Sequence, residues 1–124
     1  MIRVFAIISI LLYLSSCDQM PRPVDIGLEH QVYLSLFDEQ DSMHVTRELM
    51  KLSQVDGVKA VEVFSRFDVG DTRALDYDLL LRVYFEDEAA LKRYDADSLH
   101  QEVRGRLKPY LSKPPATFDL RFPG

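Results

Sequence analysis

Few side chains in this chain could do chemistry: three histidines (His30, His44 and His100), one cysteine (Cys17) and a tyrosine, Tyr94, six positions before the last histidine. At 100° per residue, His100 falls about 20° from both Leu107 and Leu111, so it points with Leu99, Val103, Leu107, Tyr110 and Leu111 into an apolar layer. His30 has the parity of Val32, Leu34 and Leu36, so as a strand residue it faces a buried layer too. Tyr94 shares a helical face with Ala90 and Leu91. His30, Tyr94 and His100 can therefore converge at one edge of that layer. Three roles are open to the trio. His100 could act as a general base, its unperturbed pKa of about 6.5 suiting it to remove a proton α to a carbonyl while Tyr94 donates a hydrogen bond. The same side chains could line a non-catalytic pocket for a small apolar ligand. They could also be satisfied polar groups at the edge of a core. His44 lies off the apolar face of its segment and is expected in solvent. No metal or cofactor is expected, since the histidines and the lone cysteine lack zinc spacing. Neither a glycine-rich phosphate loop nor a nucleophile elbow occurs.

The 124 residues, 47% of them hydrophobic and 28% charged, fit one compact domain. A single Cys excludes an internal disulfide framework. Twenty acidic residues against 15 basic ones, a net charge of −5, argue against nucleic-acid binding.

Cys17 follows an address-like segment. Arg3 supplies a positive start, Val4 to Leu14 is an apolar run, and Ser15 and Ser16 are small. The run is too short to span a bilayer, which takes about 20 residues, and has the layout of a secretory signal peptide. The tetrad Leu14-Ser15-Ser16-Cys17 resembles the lipobox of bacterial lipoproteins. That resemblance implies cleavage after residue 16, diacylglycerol on the Cys17 sulfur, and a domain anchored on the extracytoplasmic side of a membrane in the cell envelope. Each buried methylene contributes about 0.8 kcal/mol, so two or three acyl chains would hold it there in effect permanently. Asp18 resembles the inner-membrane retention signal of enterobacterial lipoproteins. Residues 17–28, with two Pro and one Gly, read as the lipidated Cys and an extended tether.

Residues 29–122 read as the domain. His30 to Phe37 is a strand, and Asp41 is placed to cap a helix over residues 42–54 whose Val45, Leu49 and Leu52 share one face. Asp56-Gly57 turns the chain into a second strand, Val58 to Phe67. A polar loop over residues 68–76 leads to a third, Tyr77 to Phe85. A short helix over Asp87 to Tyr94 follows, then one capped by Asp97 and running to about Leu111. Pro114-Pro115 breaks that helix ahead of a last strand, Ala116 to Phe122. This α+β order, βαββαβ, predicts a ferredoxin-like fold: a four-stranded antiparallel sheet with helices on one face, the first and third strands central. Val32, Leu34, Leu36, Leu79, Leu81, Val83 and Phe85 should pack under the helices. The opposite face, with Tyr33, Ser35, Phe37, Asp78, Leu80, Arg82 and Tyr84, mixes aromatics and charges and suits a homodimer formed sheet to sheet.

Residues 77–94, Tyr77-Asp78-Leu79 through Val83-Tyr84-Phe85, an acidic turn, Ala90-Leu91 and Tyr94, resemble the central motif of the stress-responsive dimeric α/β-barrel (Dabb) family. His30-Gln31-Val32, Val55-Asp56-Gly57-Val58 and Phe118-Asp119-Leu120-Arg121-Phe122 extend the likeness over about residues 29–122. It implies a dimeric α/β barrel. The family's Tyr-x-x-His-Pro-x-His stretch is here Tyr94 to His100: Tyr94 and His100 match, while Asp97 and Ser98 replace the first His and the Pro. In one plant branch, resembling polyketide cyclases, the Tyr and second His serve an aldol cyclisation. By this likeness Tyr94 and His100 are the candidate catalytic pair, with His30 added as a ligand contact.

Overall fold

The structure, a computed structural model, describes residues 25–123. The signal segment, Cys17 and most of the tether lie outside the described residues. No helix among the described residues is long and apolar enough to cross a membrane.

Four strands, β1 (Leu28–Leu34), β2 (Val58–Ser65), β3 (Leu79–Phe85) and β4 (Ala116–Arg121), form one antiparallel sheet in the order β2-β3-β1-β4. β1 and β3 are central as expected, and they are the two strands that carry buried residues. Helices α1 (Ser42–Met50), α2 (Glu88–Ala96) and α3 (Ser98–Leu107) cover one face. The core is the layer between them, built from Leu34, Leu81, Val83 and Phe85 of the sheet and Val45, Leu49, Tyr94, Val103 and Leu107 of the helices.

The boundaries shift where backbone hydrogen bonds decide them. β1 starts at Leu28 and ends at Leu34; Leu36 makes only an isolated bridge to Leu111, and Phe37 turns out to solvent. The Asp78 carboxylate accepts from the Leu36 amide at 2.6 Å, which ends that strand with a side chain in place of a ladder partner. Gly27, assigned to the tether, is already part of the sheet end, its amide donating to the Phe85 carbonyl and its carbonyl accepting from Phe122. A Cβ there would collide with the Glu86 carbonyl oxygen, so only glycine fits. Asp41 makes no side-chain cap. The cap falls on Asp38, which accepts from the Gln40 amide at the start of a single 3-10 turn leading into α1. The turn after α1 needs Gly57, whose φ of 87° lies in the left-handed region.

Glu48, on the buried side of α1, is the one acidic residue of that helix facing inward. Lys51 holds it at 2.5 Å and Arg106 of α3 at 2.8 Å. These two cations, Lys51 foremost, hold its carboxyl below the usual range and tie α1 to α3.

Candidate functional site

His30, Tyr94 and His100 do converge. β1 delivers His30 onto the helix-covered face, because its cross-strand partners are Val83 of β3 and Asp119 of β4. α2 delivers Tyr94 in its last turn, fully buried. Asp97, extended between α2 and α3, ends one helix and caps the next, accepting from the amides of Leu99 at 2.8 Å and His100 at 3.4 Å. That corner folds His100 back onto Tyr94, their rings stacked with centroids 4.1 Å apart and planes 23° from parallel. Where Asp97 replaces a histidine of the family stretch, its carboxylate thus acts locally, closing the start of α3. The edge of His30 meets Tyr94 at 6.1 Å, and Phe85 braces the phenol from another side at 5.1 Å.

These rings stand at one end of a cavity of about 940 Å³ between α3 and the β1–β4 edge of the sheet. Its floor is apolar, with Val32, Leu34, Leu52, Leu81, Val103 and Leu107. Further polar groups line it besides the trio, among them Asp95 and Lys113. Another is Asp119, whose carboxylate lies 2.5 Å from His30 Nδ1. A last set is the string of exposed residues along α3.

Burial sets the chemistry of the rings. It pushes the Tyr94 hydroxyl well above the usual phenol range, so Tyr94 stays a neutral donor. It pulls the His100 imidazole below its ordinary 6.5, helped by the nearby Arg104 charge and opposed by the carbonyls of Asp95 and Tyr94. His100 is therefore neutral at pH 7, and its Nδ1 is buried with no hydrogen-bond partner among the described residues.

This shift has a measurable consequence. Between the depressed folded pKa and 6.5 the unfolded chain binds a proton at His100 that the folded chain refuses. The corresponding stability is present above 6.5 and drains away as pH falls through that value toward the folded pKa. In urea titrations from about pH 7.5 to about pH 5, the midpoint of the wild type should fall more than that of His100→Gln. Parallel profiles would sink this account.

Sequence periodicity turns the trio inward, as observed, but gives no hint of Asp119. The carboxylate that orients a histidine sits behind His30 rather than behind His100. A signal existed in the alternation of the last strand, which puts Thr117, Asp119 and Arg121 on one face. It needed the β1–β4 register to be read. His44 is exposed, as expected, though its ring also rests 4.9 Å from that of Tyr110. No group of three or more His, Cys, Asp or Glu among the described residues is placed to hold a metal ion.

Comparison with known proteins places this architecture. Residues 28–117 match the family model of the stress responsive A/B barrel domain, Dabb. No curated protein sequence matches. Among solved structures, a Dabb family protein with a ferredoxin-like fold from Mesorhizobium loti is similar at 26% identity and a TM-score of 0.63, over 80% of this chain and 99% of that one. An Arabidopsis thaliana protein superposes with a TM-score of 0.69 at 17% identity, over 78% of this chain and 96% of its own. A ferredoxin-like protein of Jannaschia, described as dimeric, superposes at 0.63 with 22% identity, over 77% and 98%.

Proposed function

The chain belongs to the stress responsive A/B barrel (Dabb) family, and on that footing we propose that it is a homodimeric binding module for a small apolar compound, held at a bacterial membrane surface by lipid on Cys17. One observation carries the ligand reading: the 940 Å³ cavity combines an apolar floor with a few convergent polar side chains, His30, Tyr94, His100 and Asp119 among them. Binding pockets have this composition and this size range. A ligand hydroxyl could donate to neutral His100, and its carbonyl could accept from Tyr94.

The homodimer is supported by the outer sheet face and by the dimeric state described for several structural neighbours. The membrane address rests on the Leu14-Ser15-Ser16-Cys17 likeness. Mass spectrometry of a membrane fraction should find a mature N-terminus at Cys17 carrying acyl chains. An intact Met1 or a soluble, unmodified Cys17 would remove the address and leave the binding reading standing.

The second reading is a cofactor-free cyclase or lyase using His100 as general base on a small carbonyl compound. It is favoured by the stack of His100 on Tyr94 at the cavity wall. A panel of apolar phenolics separates the two. Binding that disappears in His100→Ala without any turnover identifies a binding module. Turnover that disappears with it identifies an enzyme. Undiminished binding in His100→Ala would remove both.

A further inference from the structure

We infer that the compound held in this cavity is an amphiphile with one carboxylate, its tail on the apolar floor and its acid at the α3 rim, with Gly105 leaving the opening through which it enters. This deepens the binding reading above and rests on it.

Three observations carry the inference. First, His100, Arg104 and Lys108 recur at intervals of four, so they form one stripe along α3 about 12 Å long, and all three line the cavity. His100 is buried at its inner end; Arg104 and Lys108 are exposed. The remaining charges reaching the cavity are Lys113, Asp95 and Asp119. Asp119 is engaged by His30, and Lys113 is engaged by the Asp76 carbonyl at 2.8 Å and the Tyr77 ring at 4.2 Å. Arg104 and Lys108 make no ion pair with the described acidic side chains, in contrast to Arg106 on the other side of the same helix. Asp95 stands at the His100 end, so Arg104, Lys108 and Lys113 against Asp95 and Asp119 leave the rim with one net positive charge on a chain whose net charge is −5. A guanidinium with an ammonium one turn away suits a carboxylate, which accepts two hydrogen bonds from an arginine fork.

Second, the side chains deeper in the cavity are almost wholly hydrocarbon, which asks for a tail rather than a second charge. Third, Gly105 lies between the two cations in sequence and on the cavity wall, in the last turn of α3, where a glycine inside the helix is still an unfavourable choice. A Cβ there would meet nothing within 4 Å, so helix packing gives no reason for a glycine. The space it leaves opens onto the cavity.

Isothermal titration of the full chain in nanodiscs, with empty nanodiscs subtracted, tests this using octanoate and octan-1-ol, two probes with the same tail. Octanoate should bind about tenfold or more tightly than octan-1-ol, and less tightly at high salt. Arg104→Gln/Lys108→Gln should remove that preference while leaving octan-1-ol binding unchanged. Gly105→Phe, which fills open space and favours the helix, should abolish binding of both without lowering the melting temperature. If both probes bind equally and the charge variant changes neither, the carboxylate inference is overturned while the apolar cavity reading survives. If neither binds to wild type, the reading falls and the inference with it.

Discussion

Arg82→Ala is expected to cost about 3 kcal/mol in urea unfolding, the largest loss from any single surface-facing side chain of this protein. Glu29 sits on the outer sheet face, yet it is only 2% exposed. Arg82 of β3, opposite Gln31 and diagonal to Glu29, grips both of its oxygens, Nε on Oε1 and Nη2 on Oε2 at 3.0 Å. Gln31 adds a hydrogen bond at 2.9 Å. The guanidinium also lies over the rings of Phe64 at 5.8 Å and Tyr84 at 5.4 Å, which keep water from the pair. Deleting the arginine leaves a desolvated carboxylate without the cation that balances it, and that imbalance rather than the lost contact dominates the cost. Removing both charges in Glu29→Gln/Arg82→Met should recover most of the loss. If the double variant is as unstable as the single one, the arginine acts by covering the two rings and the charge account is wrong.

Tyr33→Asp is expected to convert the proposed homodimer into a monomer by sedimentation. The outer face of the sheet presents Tyr33 of β1 beside Leu80 of β3 and Ala116 of β4, with Phe64 and Phe118 on the flanking strands 45% and 58% exposed. A monomer would leave this aromatic surface in water, whereas two such faces packed together would bury it. A carboxylate at the middle of that contact would be desolvated without a partner in each copy. Because Tyr33 lies on a central strand, Phe118→Asp on the edge strand provides a companion that barely touches the fold. It should also give a monomer. A mass unchanged in both variants would move the interface away from the sheet.

Much of this molecule could be read locally. The apolar alternation of Val32 and Leu34, and of Leu79 to Phe85, predicted which faces pack under the helices. The i, i+4 spacing of Val45 and Leu49 did the same for α1. Asp97 was recognisable as a cap because capping is a contact over two or three residues. The misses have a common cause. The pattern places the cap at Asp41, whereas Asp38 makes it, because the 3-10 turn that precedes α1 has no sequence period of its own. The apolar pattern runs to Phe37, three residues past the end of β1, because Asp78, more than 40 residues away, supplies the hydrogen bond that replaces the ladder.

The same division runs through the site. The sequence alone determined that His30, Tyr94 and His100 face inward, since orientation follows from helical and strand periodicity within each element. It also determined the family, through motifs spread over the whole domain. Only the tertiary structure decided which of these groups meet and what each is left to do. The His30–Asp119 pair spans 89 positions and exists because β4 lies beside β1 in one particular register. The cavity beside Gly105, the burial of His100 and the cationic rim are properties of the space between α3 and the sheet edge. That space is set by how layers pack against one another, and no local pattern of residue types encodes it.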